Sequence, residues 1–194
     1  MYIIPGYSMM AATATTFMLS IIFLLLSEQS KKQYMRFWGI SWLVYSAMFL
    51  LDFCHLNWDF IYLGYVMLRQ MLALLGAYTF LLGTHHFFQT KYPASLGFAA
   101  ILSTISMSLY PAISPVYTLM IIPNIIFSSG LLIYSGCMFI AISWTQKLPE
   151  KLIASFLIIL WSIFINHFAF SLKNQQLEIG SYYISIFTVN VLIL

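Results

Sequence analysis

Between Tyr7 and Ser27 the chain reads "YSMMAATATTFMLSIIFLLLS", 21 residues without a charge. A helix crossing the hydrocarbon of a bilayer needs about 20 mainly apolar residues. In lipid every backbone N–H and C=O must also be satisfied inside the segment. Such a run admits one local structure, a helix. Comparable runs recur at Phe37 to Leu51, Phe60 to Leu82, Ala94 to Tyr110, Val116 to Ile142, Leu152 to Leu172 and Ile179 to Leu194. Between them lie "SEQSKKQYMR", "DFCHLNWD", "GTHHFFQTKYP", "PAISP", "SWTQKLPEK" and "SLKNQQLEIG", which collect four of the six prolines, many polar residues and nearly all the charges. The expected fold is all-α: a polytopic membrane protein built as a seven-transmembrane helix bundle.

Composition removes the main rival. Hydrophobic residues make up 62% of the chain and charged residues 7%, whereas soluble domains carry roughly a quarter charged residues. No hydrophilic block is large enough for a soluble domain, so residues 1–194 form a single membrane domain surrounded by membrane lipids. The net charge of +3 comes from scattered lysines and arginines, which argues against nucleic-acid binding and makes those residues topology signals. Lys31, Lys32, Arg36, Lys91, Lys147 and Lys151 fall in the first, third and fifth separators; only Lys173 falls in the others. Basic residues in short loops favour the cytoplasm. The N-terminus is therefore expected outside, the C-terminus in the cytoplasm, and the chain as a multi-pass protein of the plasma (inner) membrane. The N-terminal run has its lysines after the apolar core, the reverse of a cleavable signal peptide.

The last run, Ile179 to Leu194, extends about 24 Å as a helix, short of a hydrocarbon core about 30 Å thick. This shortfall leads to the expectation that the native protein continues into a cytoplasmic output module.

A charge at mid-membrane costs at least about 2.5 kcal/mol on insertion scales, and Arg69 stands there in "YVMLRQMLALLGAYTFLLG". With Ala73, Gly76, Phe80 and Gly83 it recurs at three- and four-residue spacing, on one helical face that other helices can approach closely. Arg69 is expected to face the bundle, either as a packing anchor or as a charge that senses a ligand or signal. On the second run Trp38, Trp42, Tyr45, Phe49 and Asp52 make a stripe, read as packing and interfacial anchoring rather than a cofactor box. Asp52 is the nearest acidic partner for Arg69, although hairpin symmetry sets the arginine about 13 Å deeper by helical rise.

Two of the four histidines, His55 and His167, lie at the outer ends of their runs, while His85 and His86 lie at the inner side. Neither pair has the spacing of a tetrahedral metal site. His55 and His167 as axial haem ligands form a rival reading, set against polar interfacial histidines with no metal or cofactor. Cys54 and Cys137 sit too far apart along their runs for a disulfide and are expected to pack. Pro123 interrupts the hydrogen bonding of the fifth run and is a candidate hinge. Polar stripes at Thr13, Thr16, Ser20 and Ser27, and at Ser155, Ser162 and Asn166, suit contacts between helices. Arg69, Asp52, His55, Asn166 and His167 are thus the candidates for a ligand- or signal-sensing site open to the outer side.

No nucleophile–base pair, Walker loop, GxSxG or HExxH occurs, so no catalytic residue is assigned. The seventh run has no lysine for a retinal, and the one deep charge is too few for proton or ion transport. A transporter or permease component, a haem-bearing subunit and a small lipid-modifying membrane enzyme stand as alternatives.

At "YMRFWGISWLVYSAMFLLDF", followed after the next span by "LLGTHHFF", the chain resembles the N-terminal membrane input region of bacterial sensor histidine kinases and GGDEF-type diguanylate cyclases. In many of these a basic loop leads into a helix with a spaced tryptophan pair, matched by Trp38 and Trp42, and the third helix ends in a glycine-containing turn, matched by Gly83. The resemblance implies a sensory domain in signal transduction, a homodimer, and a small-molecule, lipid or protein stimulus. The chain departs from the family pattern in lacking a phosphoacceptor box, nucleotide site or GGDEF sequence.

Overall fold

The computed structural model describes residues 3–57, 62–92, 94–109, 117–146, 149–171 and 186. Among these residues six helices follow one another: α1 (Ile3–Ser30), α2 (Gln33–Asn57), α3 (Tyr62–Phe87), α4 (Ala94–Leu109), α5 (Tyr117–Gln146) and α6 (Pro149–Ser171). The described residues form no strand. Among the described residues three helical stretches, Tyr7–Ser30, Gln33–His55 and Leu63–Phe87, are long and apolar enough to cross a membrane. Shorter apolar stretches run over Gly97–Ser106, Ile126–Ile142 and Lys151–Ile163. The expected seventh run lies outside the described residues except for Ile186, which is fully buried in the core.

Helices outrun the apolar segments that announce them. The second apolar run covers Phe37 to Leu51, yet α2 begins at Gln33 and ends at Asn57. Neither extension contains a proline or glycine, and a polar residue does not stop a helix by itself. Only Lys31 and Lys32 separate α1 from α2. Lys31 has φ 56° and its N–H donates to Ser27 O at 2.8 Å, the left-handed cap in which one bond closes the last turn. Gln89 (φ 55°) does the same after α3, where Thr90 N–H donates to His85 O and Gln89 N–H to His86 O. This paired pattern is a Schellman motif built without glycine.

The surface inverts the soluble pattern. Phe98 (71% exposed), Ile126 (67%) and Phe156 (64%) face outward with many other large apolar side chains, while Thr16, Ser41, Ser135 and Ser162 are fully buried. Water would penalise so much exposed apolar surface, whereas lipid does not.

Within the bundle, α2 packs against α1 and α3, α3 also against α4 and α5, and α5 against α6. Hydroxyls bridge these interfaces by donating to main-chain carbonyls: Ser46 to Thr13 O, Ser41 to Gly76 O and Ser155 to Gly136 O, at 3.1, 2.8 and 2.9 Å. The arginine-bearing face of α3 is the face α2 covers. A methyl group placed on Gly76 would come within 2.9 Å of the Tyr45 ring, and one on Gly83 within 2.5 Å of the Trp38 ring. The two glycines are the sockets into which the α2 aromatic stripe fits. Tyr45 and Phe49 are among the most deeply buried side chains, and Trp161 of α6 meets two rings of the stripe edge-on, 5.0 Å from the Trp42 ring and 4.3 Å from the Tyr45 ring. The stripe is packing, as its spacing predicts. Cys54 is half-buried on α2 and Cys137 is exposed on α5, both as free thiols. For Cys137 this corrects the expectation of a packed residue: it shares the outward face with Ile133, Tyr134 and Ile140, while neighbouring Gly136 and Phe139 turn inward.

Candidate functional site

Asp52 and Arg69 meet at the α2–α3 interface. Arg69 Nε donates to Asp52 Oδ1 at 2.8 Å; the Asp52 side chain is 1% exposed and the Arg69 side chain 13%. Hairpin symmetry drawn from the apolar runs sets the two about 13 Å apart in depth, and the helix ends explain why they are level. Asp52 lies five residues before the end of α2 at Asn57, and Arg69 seven residues after the start of α3 at Tyr62. The two-residue difference is about 3 Å of rise, well within the reach of an arginine.

Tyr65 completes the arrangement. It stands one turn before Arg69 on the same face of α3, and its hydroxyl donates to the same Asp52 oxygen at 2.7 Å. His55, one turn after Asp52 on α2, stacks on the Tyr65 ring with centroids 3.8 Å apart and planes 12° apart. Two helices thus share a four-residue polar cluster at their interface. Charge-assisted bonds are shorter and stronger than neutral ones, and sequestering both charges makes each dependent on the other. Chemically the cluster can exchange one arrangement for another, by moving a donor off the carboxylate or by admitting a competing anion to the guanidinium. It holds no nucleophile.

Of the other candidates, Asn166 and His167 belong to α6 and Pro123 to α5, which continues as one helix through the proline; their side chains lie outside the described residues. Tyr65 was not among the sequence candidates, although its position four residues before a buried arginine is the signal that marks it. At the opposite end of the bundle the adjacent histidines point different ways, as helical geometry requires. Buried His85 places Nδ1 2.7 Å from Thr90 Oγ1, and exposed His86 stacks on Phe37 at 4.9 Å. Tyr92, in the connection after α3, has its phenol pKa raised by burial first and by neighbouring Tyr78 second. Among the described residues no three His, Cys, Asp or Glu side chains gather as a metal site would require.

Fold and cluster together define a class: the described residues are all helical, three of their helices are long and apolar enough to cross a membrane, and a buried ion pair joins two of these. Compared with known proteins, the chain matches no family model, no curated protein and no solved structure.

Proposed function

We propose that this chain is the membrane-embedded sensory input domain of a bacterial signal-transduction protein of the histidine kinase or diguanylate cyclase type. It works as a homodimer in the plasma membrane, with seven spans, an outer N-terminus and a cytoplasmic C-terminus. The observation that carries the reading is the Asp52–Arg69 pair with Tyr65 on the shared oxygen. Burying two charges between apolar helices is a poor way to gain stability, and ionisable residues inside membrane segments mark functional positions. A stimulus that favours one arrangement of the cluster shifts α2 against α3, provided it binds that arrangement better than the other.

The gene offers a direct test. A kinase or GGDEF module encoded in frame after Leu194 is the expected finding, and a stop codon there overturns the proposal. In the full-length protein, Asp52→Asn and Arg69→Met should each lock kinase or cyclase output at a constant level regardless of stimulus. Outputs that still respond as in the wild type would remove the cluster from the signalling path.

A further inference from the structure

At the end of the bundle away from Asp52, α1 finishes at Ser30, α2 starts at Gln33 and α3 finishes at Phe87. Rings hold the start of α2 against the end of α3: Tyr34 stands edge-on to Phe87 and Phe37 stacks on His86, both with centroids 4.9 Å apart. The residues beside these rings are basic. Lys31 and Lys32 form the turn between α1 and α2, Arg36 lies in the first turn of α2, and Lys91 follows the cap of α3; all four are exposed.

Only one of the four has an acidic partner among the described residues. Glu28 pairs with Lys31 at 3.5 Å, the two side chains being 77% and 80% exposed. Lys32, Arg36 and Lys91 make no ion pair, and no acidic residue stands in the first turn of α2. Lys32 sets its ammonium 5.9 Å from the centroid of the neutral Tyr34 ring. Toward the hydrocarbon the surface beside this charge is apolar. Leu25 and Leu26, in the last two turns of α1, and Leu43, two turns from Arg36 on the same face of α2, are 58%, 40% and 42% exposed.

We propose that this end of the α1–α2 hairpin binds an anionic phospholipid, its headgroup meeting Lys32 and Arg36 and its acyl chains lying along Leu25, Leu26 and Leu43. Charge complementarity selects the head, since basic residues at the edge of a bilayer attract anionic lipids. Position selects a lipid over a soluble acidic partner: the cations stand where the apolar spans end, at the depth of lipid phosphates, and exposed leucines begin within two turns of them. The inference needs neither the orientation of the bundle nor the sensory reading, and its test reads lipid binding alone.

The whole chain, in a neutral detergent, is titrated with dioleoyl phosphatidylglycerol or dioleoyl phosphatidylcholine, and retained lipids are counted by native mass spectrometry. The two probes share acyl chains and differ in headgroup charge. The first phosphatidylglycerol should bind about tenfold more tightly than the first phosphatidylcholine. Lys32→Gln/Arg36→Gln should bring phosphatidylglycerol to within about twofold of phosphatidylcholine, whose own binding stays unchanged. Both side chains are exposed, and unaltered helical circular dichroism checks that the variant folds. The charge-conserving Lys32→Arg/Arg36→Lys should keep the preference. Lys31→Gln, whose charge Glu28 already offsets, should change it by less than about twofold. Equal binding of the two lipids by the wild type overturns the proposal, as does a preference that survives Lys32→Gln/Arg36→Gln. A loss on Lys31→Gln as large as that of the double variant overturns the assignment to Lys32 and Arg36 and leaves only diffuse surface charge. Loss of the preference in the charge-conserving variant overturns the electrostatic role.

Discussion

Asp52 Oδ1 accepts from Arg69 Nε at 2.8 Å and from Tyr65 Oη at 2.7 Å, so a single carboxylate oxygen ties α2 to α3 at two points one turn apart. With the carboxylate almost wholly removed from solvent, neither charge has water to fall back on. The consequences differ sharply between removing one partner and removing both.

Asp52→Ala or Arg69→Ala removes one member of the buried ion pair and leaves the other charge buried, and each should cost about 3–5 kcal/mol. The double variant Asp52→Leu/Arg69→Met replaces the pair with apolar groups and should recover most of that loss. Thermal unfolding midpoints of the purified protein in one detergent check the order, with both single variants lowest and the double near the wild type.

Tyr65→Phe deletes one donor to the carboxylate but keeps the ring on which His55 stacks. A hydrogen bond to a charged group contributes about 1.5–3 kcal/mol, so this variant should fall between the wild type and Asp52→Ala in the same measurement. A midpoint as low as that of Asp52→Ala would mean that Tyr65, rather than the arginine, holds the carboxylate.

Two glycines of α3 should respond with opposite signs. At Gly83 an added methyl meets the Trp38 ring at 2.5 Å and Tyr34 O at 3.1 Å, whereas at Gly64 nothing lies within 4 Å. Trp38 is wedged among other rings and has little room to yield. Gly83→Ala should therefore destabilise by about 1–3 kcal/mol, and Gly64→Ala should stabilise by up to about 1 kcal/mol through helix propensity. Comparing the two melts separates close packing from the general preference of helices for alanine.

The cap after α3 holds Gln89 in the left-handed region, which glycine enters without steric cost. Gln89→Gly should stabilise by about 0.5–1 kcal/mol, and Lys31→Gly should do likewise after α1. Thr90→Val, which removes the hydroxyl beside His85 Nδ1, should cost about 1 kcal/mol. Hydrogen exchange at the Gln89 and Thr90 amides reports the same changes locally.

Much of the candidate site was legible before any coordinates. The spacing of Arg69, Ala73, Gly76, Phe80 and Gly83 marks the face of α3 that α2 covers, and the tryptophan–tyrosine–phenylalanine stripe of α2 marks the face that covers it. The depth of Asp52 was not legible. Apolar runs report where lipid or core begins, while a helix stops where its backbone bonds are capped, and α2 runs six residues past Leu51. The caps themselves were hidden because Lys31 and Gln89 take the left-handed position without the glycine that usually announces it.

By itself the sequence determined that this chain is helical and that its helices are apolar. Both properties follow from local chemistry: long uncharged runs leave backbone polar groups no partners except those within the same helix. Only the tertiary structure decided that Asp52 and Arg69 share a level, that Tyr65 joins them, and that seven aromatic side chains from four helices line one pocket together with Lys151. Those outcomes depend on where each helix ends and how far it slides past its neighbour. That register is set by glycine sockets and ring packing between helices distant in sequence, and no periodicity within a single helix contains it.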